Sequence, residues 1–361
     1  MRASAGWNTR RLSIALALVG GSLAFSPSVR ADDILLSGTN PIQGVKISSA
    51  TWVEVEYKMP GVSRSQKMES DRVDEIVWTE EPPTLGRGRN SLAKGEFSKA
   101  LSSFKSAATI NDEVYKFNAM YMQGVTELTH SRQDPSHVAA AATALSAYVS
   151  AAKRAKHFYV PHGILALADA HMAAGDFSKA ESVLGDLASG EMGQKWIEGA
   201  KLKRAQVQLA QDKFKEARDL FRDVQGSADP NFALEAKIGY AACQVGQKQY
   251  PGAVSTIVEI VGDSSREKNS SSPRYGDLRG KAWIVYGQAE EGAAAGDKTK
   301  LQWAAYRYLR ASVVAVGGGE VFAEALYRAK EVFKKLGQQD RGQAIDQRMN
   351  QLCPNSPWTK R

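Results

Sequence analysis

The side chains best suited to chemistry are sparse in this chain: five histidines, at 130, 137, 157, 162 and 171, and two cysteines, at 243 and 353. A zinc site needs three or four converging Cys, His or carboxylate ligands, and a motif such as HExxH supplies two of them from one helical face. Pro161 stands between His157 and His162 and interrupts any continuous helical face between them. Neither cysteine has metal-ligand spacing to a histidine. The sequence holds no GxSxG elbow, no GxxxxGK[ST] phosphate loop and no GxGxxG dinucleotide turn. Gly317, Gly318 and Gly319 read as a helix-to-helix turn rather than a phosphate cradle, and the carboxylates are scattered. These residues point away from an enzyme and imply no metal or cofactor.

Composition points the same way. The chain has 361 residues, 43% hydrophobic and 24% charged, as in a folded globular protein with room for two or three domains. The formal net charge is +8. Arg2, Arg10, Arg11 and Arg30 supply half of it, leaving 43 basic against 39 acidic residues after position 31. So small an excess argues against nucleic acid as a partner. The basic clusters Lys153-Arg154-Lys156 and Lys201-Lys203-Arg204 read as solvated helix faces, and no concentrated patch supports more than a peripheral contact with anionic polymer or lipid head groups.

The elements that must position any site begin with an export signal. Three arginines precede a fourteen-residue, mostly apolar run, LSIALALVGGSLAF. Pro27 ends the run, and Val29-Arg30-Ala31 offers a peptidase site. The run is too short to span the ~30 Å hydrocarbon of a bilayer as a stable helix. Residues 1–31 are therefore expected to be a cleaved signal peptide, making the protein exported and periplasmic or envelope-located.

Residues 32–83 carry a period of two. In TWVEVEY, Val53, Val55 and Tyr57 share one face, and Glu54 and Glu56 the other. Residues 42–47 and 73–78 read as further strands, with a turn at Met59-Pro60-Gly61-Val62-Ser63. Four or five short strands in fifty residues suggest a small barrel or curled sheet, loosely similar to SH3-like or Sm-like modules. It would serve either as a cap on the end of a helical stack or as a docking surface. Glu80-Glu81-Pro82-Pro83 marks a stiff linker.

From 84 to 361 the text repeats. Gly95-Glu96-Phe97-Ser98-Lys99-Ala100 returns as Gly175-Asp176-Phe177-Ser178-Lys179-Ala180 and, varied, as Asp212-Lys213-Phe214-Lys215-Glu216-Ala217. Tyr250 and Ala253 continue the series, so the aromatic positions are spaced by 80, 37 and 36. The first interval holds an unmarked repeat, residues 115–153, with Asp134-Pro135 opening its second helix. Trp283, Tyr286 and Gly287, then Ala305, Tyr308 and Ala311, fit another helical pair, and residues 325–352 a last one. Residues 263–275 (DSSREKNSSSPRY) read as a solvated loop. About four helices spaced ~9 Å apart would separate Cys243 from Cys353, too far for the ~7 Å Cα approach of a disulfide.

A period just above 34, with a turn of Gly, acid and aromatic and Ala three residues later, resembles the tetratricopeptide repeat family. The resemblance implies a mainly α, right-handed solenoid of about seven helical hairpins, preceded here by a small β-barrel-like module. It also implies function by binding, with the first helix of each pair lining the inner surface. Family members that grip a terminal carboxylate use Lys and Asn on those helices, where this chain has Leu165, Asp169, Leu202 and Gln206. A more apolar or mixed groove is expected, with Asp169, Met172, Gln206 and Leu209 as partner-binding candidates. His171, Gln208 and Gln244 stand where the family usually has a large aromatic. The sequence thus reads as a scaffold or adaptor of the bacterial cell envelope that binds a protein or peptide. The alternative is a module that binds an envelope component such as cell-wall glycan through its β-rich segment.

Overall fold

The computed structural model describes residues 32–36, 40–262, 273–315 and 319–361. The signal segment, most of the polar loop and Gly317-Gly318 lie outside these residues.

Five strands come first: β1 (Asp32–Leu36), β2 (Ile42–Ala50), β3 (Glu54–Lys58), β4 (Gln66–Glu69) and β5 (Val73–Val77). All pairings are antiparallel, in the order β4-β3-β2-β1-β5. Gly61, at a φ of +73°, makes the turn after β3, where the Val62 N–H donates to the Met59 carbonyl at 3.1 Å. The carboxylate of Asp32 accepts from the N–H groups of Ile47 and Thr79 and fixes the start of β1.

The expected barrel is not formed. β4 and β5 stand at opposite edges of an open sheet, whereas closure would pair them. The reason lies in what covers the apolar face. Ile34, Val45, Ile47, Val55, Tyr57, Val73 and Ile76 share one core with Phe117, Tyr148, Tyr159, Ile164 and Trp196 of the helical region. With helices burying its inner face, the sheet has no need to close on itself. Val53 also departs from expectation: it lies in a bend before β3 and is 49% exposed, while Val55 and Tyr57 point inward.

Seven antiparallel helical pairs follow among the described residues. The first two are α1 (Pro83–Ala93) with α2 (Phe97–Ala107), and α3 (Glu113–Ser131) with α4 (Val138–Lys153). In the third, α5 (Val160–Ala173) pairs with a broken second helix, α6 (Phe177–Val183) and α7 (Gly185–Ala188). Then come α8 (Gln194–Ala210) with α9 (Phe214–Val224), and α10 (Pro230–Gly246) with α11 (Tyr250–Val261). The last two are α12 (Pro273–Ala293) with α13 (Lys298–Val314), and α14 (Glu320–Lys335) with α15 (Gln339–Leu352).

The repeated hexapeptide explains the hairpins. Gly95, Gly175 and Gly337 end their first helices with φ between +72° and +76°, and Asp212 and Lys248 take the same left-handed conformation. Ala100, Ala180, Ala217 and Ala253 are fully buried where helices cross. Glycine permits the closest approaches: a Cβ on Gly88 would lie 2.4 Å from the Phe104 ring, and one on Gly239 2.3 Å from the Phe221 ring. Asp112, Asp229 and Asp297 cap α3, α10 and α13 by accepting from two backbone N–H groups each.

Successive first helices touch one another from α1 through α14, while successive second helices make no substantial contact. The first helices therefore lie at the smaller radius, and their shared surface is the concave one. The sheet does not cap the end of this stack. It lies against the N-terminal parts of α3, α5 and α8, with the α4–α5 connection pairing Trp52 N–H to the Lys156 carbonyl at 3.0 Å.

Candidate functional site

The four candidate residues sit half-buried on two neighbouring first helices, Asp169 and Met172 on α5, Gln206 and Leu209 on α8. A spacing of three puts each pair on one helical face. The two polar members are not joined to each other. Asp169 Oδ1 accepts from Lys203 Nζ of α8 at 2.6 Å, and Gln206 Nε2 donates to Glu235 Oε1 of α10 at 2.9 Å. Met172 packs beside the core shared with the sheet, and Leu209 beside the core around Phe221 and Phe232.

Polar links between consecutive first helices recur farther along, where Lys335 Nζ of α14 meets Glu291 Oε1 of α12 at 2.6 Å. The surface is a mixture of half-buried apolar side chains and charge pairs spanning helix to helix. Such partly exposed pairs are individually weak, in the range of ~0–1 kcal/mol. A ligand can therefore exchange them for its own charges at little loss. Lys203 and Glu235 were not legible as partners in the sequence, because their positions opposite Asp169 and Gln206 depend on the register between neighbouring hairpins.

Of the three polar residues at aromatic positions, Gln208 and Gln244 make interhelical hydrogen bonds, whereas His171 borders a groove. Gln208 Nε2 donates to Glu181 Oε1 at 3.0 Å, and Thr256 Oγ1 donates to Gln244 Oε1 at 3.3 Å. His171 borders an open groove of about 870 Å³ between α4 and the α5–α6 turn, with Ala142, Thr143, Ser146, Asp176 and Lys179 among its walls. None of the four candidates lines that groove.

The other histidines are tied into packing. His137 Nδ1 lies 2.6 Å from Glu127 Oε2, and its ring packs at a tilt against His130, which in turn stacks on Phe97. Burial, then the neighbouring His137, lowers the pKa of His130. His157 is buried beneath the sheet, with Nδ1 2.8 Å from Tyr148 Oη, and burial lowers its pKa to about 4. His162 packs edge-on to Trp196. Among the described residues no three His, Cys, Asp or Glu side chains are grouped to hold a metal ion. Both cysteines are buried free thiols, and burial pushes Cys243 up to about 12. No described helix is long and apolar enough to cross a membrane.

A second recess, of about 270 Å³, lies at the seam between the sheet and the stack, bordered by Leu36, Asp71, Arg72, Glu198 and Asp229. Lys195 also borders it, reaching Asp74 at 2.9 Å and Asp229 at 3.2 Å. This recess joins the two parts of the fold.

No protein-family model matches the chain, and no curated protein is significantly similar to it in sequence. Among solved structures it is similar to a tetratricopeptide repeat protein from Parabacteroides merdae, at 11% identity and a TM-score of 0.48, covering 74% of this chain and 91% of that one. It is also similar to BtubC from P. vanneervenii, at 14% identity and a TM-score of 0.39, covering 67% of this chain and 91% of that one.

Proposed function

We propose that this protein is a non-enzymatic interaction scaffold of the bacterial cell envelope, holding a protein or peptide partner along the concave surface of its helical stack. The observation that supports this most is the surface built by α5, α8 and α10. There Met172 and Leu209 remain half-buried beside the exchangeable pairs Asp169–Lys203 and Gln206–Glu235. Partly exposed apolar anchors among polar groups are what an extended peptide or a partner domain needs for affinity and register. The export part of the reading rests on residues 1–31, and the partner class rests on the architecture.

The alternative, recognition of an envelope component through the β-rich segment, has less to support it. The apolar face of the sheet is committed to the helices, and its other face carries Lys46, Glu54, Glu56, Lys58 and Lys67. Photo-crosslinkers placed at Met172 and Leu209 in intact cells test the proposal. A common adduct from both positions, with the Met172 adduct suppressed by Leu209→Asp, supports it. Absence of any adduct, or an equal yield from a crosslinker at Val258 on a second helix, refutes it.

A further inference from the structure

We infer that the outward face of α13 is a contact surface for an anionic lipid bilayer, distinct from the concave groove. α13 carries Lys298, Lys300, Arg307 and Arg310 and no acidic residue; Asp297, just before it, is used as the helix cap. Leu301, Ala304, Ala305, Tyr308 and Ala311 bury one side against the neighbouring helices. The opposite side exposes Trp303 at 52%, Tyr306 at 50% and Val313 at 74%. A second helix of the stack thus turns two large aromatics and an aliphatic residue to the outside of the curve, among cations.

Arg307 organises this face. Its guanidinium lies 5.4 Å from the Trp303 ring centre, 5.6 Å from that of Tyr306 and 4.2 Å from that of Tyr286. Glu290 neutralises it at 3.3 Å. Trp303 and Tyr306 are held edge-to-face, with ring centres 5.9 Å apart. The aromatic pair is therefore fixed by cation–π contacts before any ligand arrives. Lys298, Lys300 and Arg310 are exposed and make no ion pair among the described residues, so their charge is presented to solvent.

Trp and Tyr favour the boundary between headgroups and acyl chains, where an apolar ring and a polar tip are both satisfied. Lysine and arginine beside them are attracted to anionic headgroups. The face lies on the outside of the curve, and neither cavity described above reaches it, so its shape suits a broad surface better than a peptide. Two copies of the chain are disfavoured as mutual occupants. A two-fold interface sets the same patch against itself, and three exposed cations would meet their own copies.

Co-sedimentation of the mature chain with vesicles tests the inference. The chain should bind phosphatidylcholine vesicles containing phosphatidylglycerol, and bind pure phosphatidylcholine at least tenfold more weakly. Lys298→Gln, Lys300→Gln and Arg310→Gln should each lower partitioning about fivefold. Trp303→Ala with Tyr306→Ala should lower it at least tenfold with unchanged circular dichroism. Val313→Asp, at a site too exposed to affect folding, should lower it as well. Leu209→Asp, in the groove, should leave it unaltered, which separates this surface from the proposed scaffold site. The inference is overturned if anionic vesicles are not bound, or if binding ignores the aromatic substitutions and Val313→Asp. It is equally overturned if soluble polyglutamate binds with the same residue dependence, or if Trp303→Ala abolishes a dimer instead.

Discussion

Tyr148 Oη and His157 Nδ1 lie 2.8 Å apart inside the seam where the sheet meets the helices. His157 also forms a backbone bridge with Thr51, just before β3, so one residue ties both parts of the fold to a buried hydrogen bond. Burial holds its imidazole neutral down to about pH 4, while an unfolded histidine titrates near ~6.5. Between those values the unfolded chain binds the extra proton. The contribution is complete above pH 6.5 and declines as pH falls, reaching about 3 kcal/mol lost by pH 4. Urea unfolding should show a loss of about 2 kcal/mol from this residue between pH 7 and pH 5. His157→Gln, which can still bond Tyr148, should flatten that slope; an unchanged slope contradicts the assignment.

Close helix crossings should be intolerant of a single methyl group. Phe221 and Tyr308 are buried and cannot swing aside, and a Cβ on Gly239 or Gly287 would lie 2.3 or 2.5 Å from their rings. Gly239→Ala and Gly287→Ala should each destabilise by about 1–3 kcal/mol in chemical unfolding. Gly185→Ala, with nothing within 4 Å of the new atom, should be neutral or slightly stabilising.

The sheet should be inseparable from the stack. Removing residues 32–82 would uncover Phe117, Tyr121, Tyr159 and Trp196 together, a large apolar patch of the kind that drives aggregation. Such a truncation should bind a hydrophobic dye strongly and lose solubility. A monomeric, dye-silent fragment would show that the sheet is only an appendage.

Both thiols should be inert in the native protein. Cys243 is fully buried in α10 and Cys353 lies buried at the end of α15, and burial raises both pKa values. A thiol reagent should label neither at neutral pH and both after denaturation.

How much of this could be read from the sequence depended on how local the determining physics was. The hairpin turns were legible because Gly95, Gly175 and the aromatic after each set the chain reversal within six residues. The Asp134-Pro135 start of a second helix was legible for the same reason, and the Asp134 carboxylate accepts there from the Ser136 N–H. Closure of the sheet was not, because it turns on which partner covers Ile34, Val55 and Ile76, and that partner lies in α3, α5 and α8. The pairing of Asp169 with Lys203 spans 34 residues and two hairpins. Sequence periodicity finds the helices but not the register that opposes these two side chains. The outward face of α13 was missed because Trp303 and Tyr306 sit beside core positions Ala304, Ala305 and Tyr308, and only packing separates the two sides.

The proposed scaffold role requires the concave face of the first helices to hold a partner. Its most direct measurement is site-specific photo-crosslinking in living cells, with probes at Met172 and Leu209 on that face and at Val258 on the opposite one. The two concave positions should capture the same protein, Leu209→Asp should reduce the adduct from Met172, and Val258 should not give that adduct. Equal capture from Val258, or none from either concave position, would contradict it.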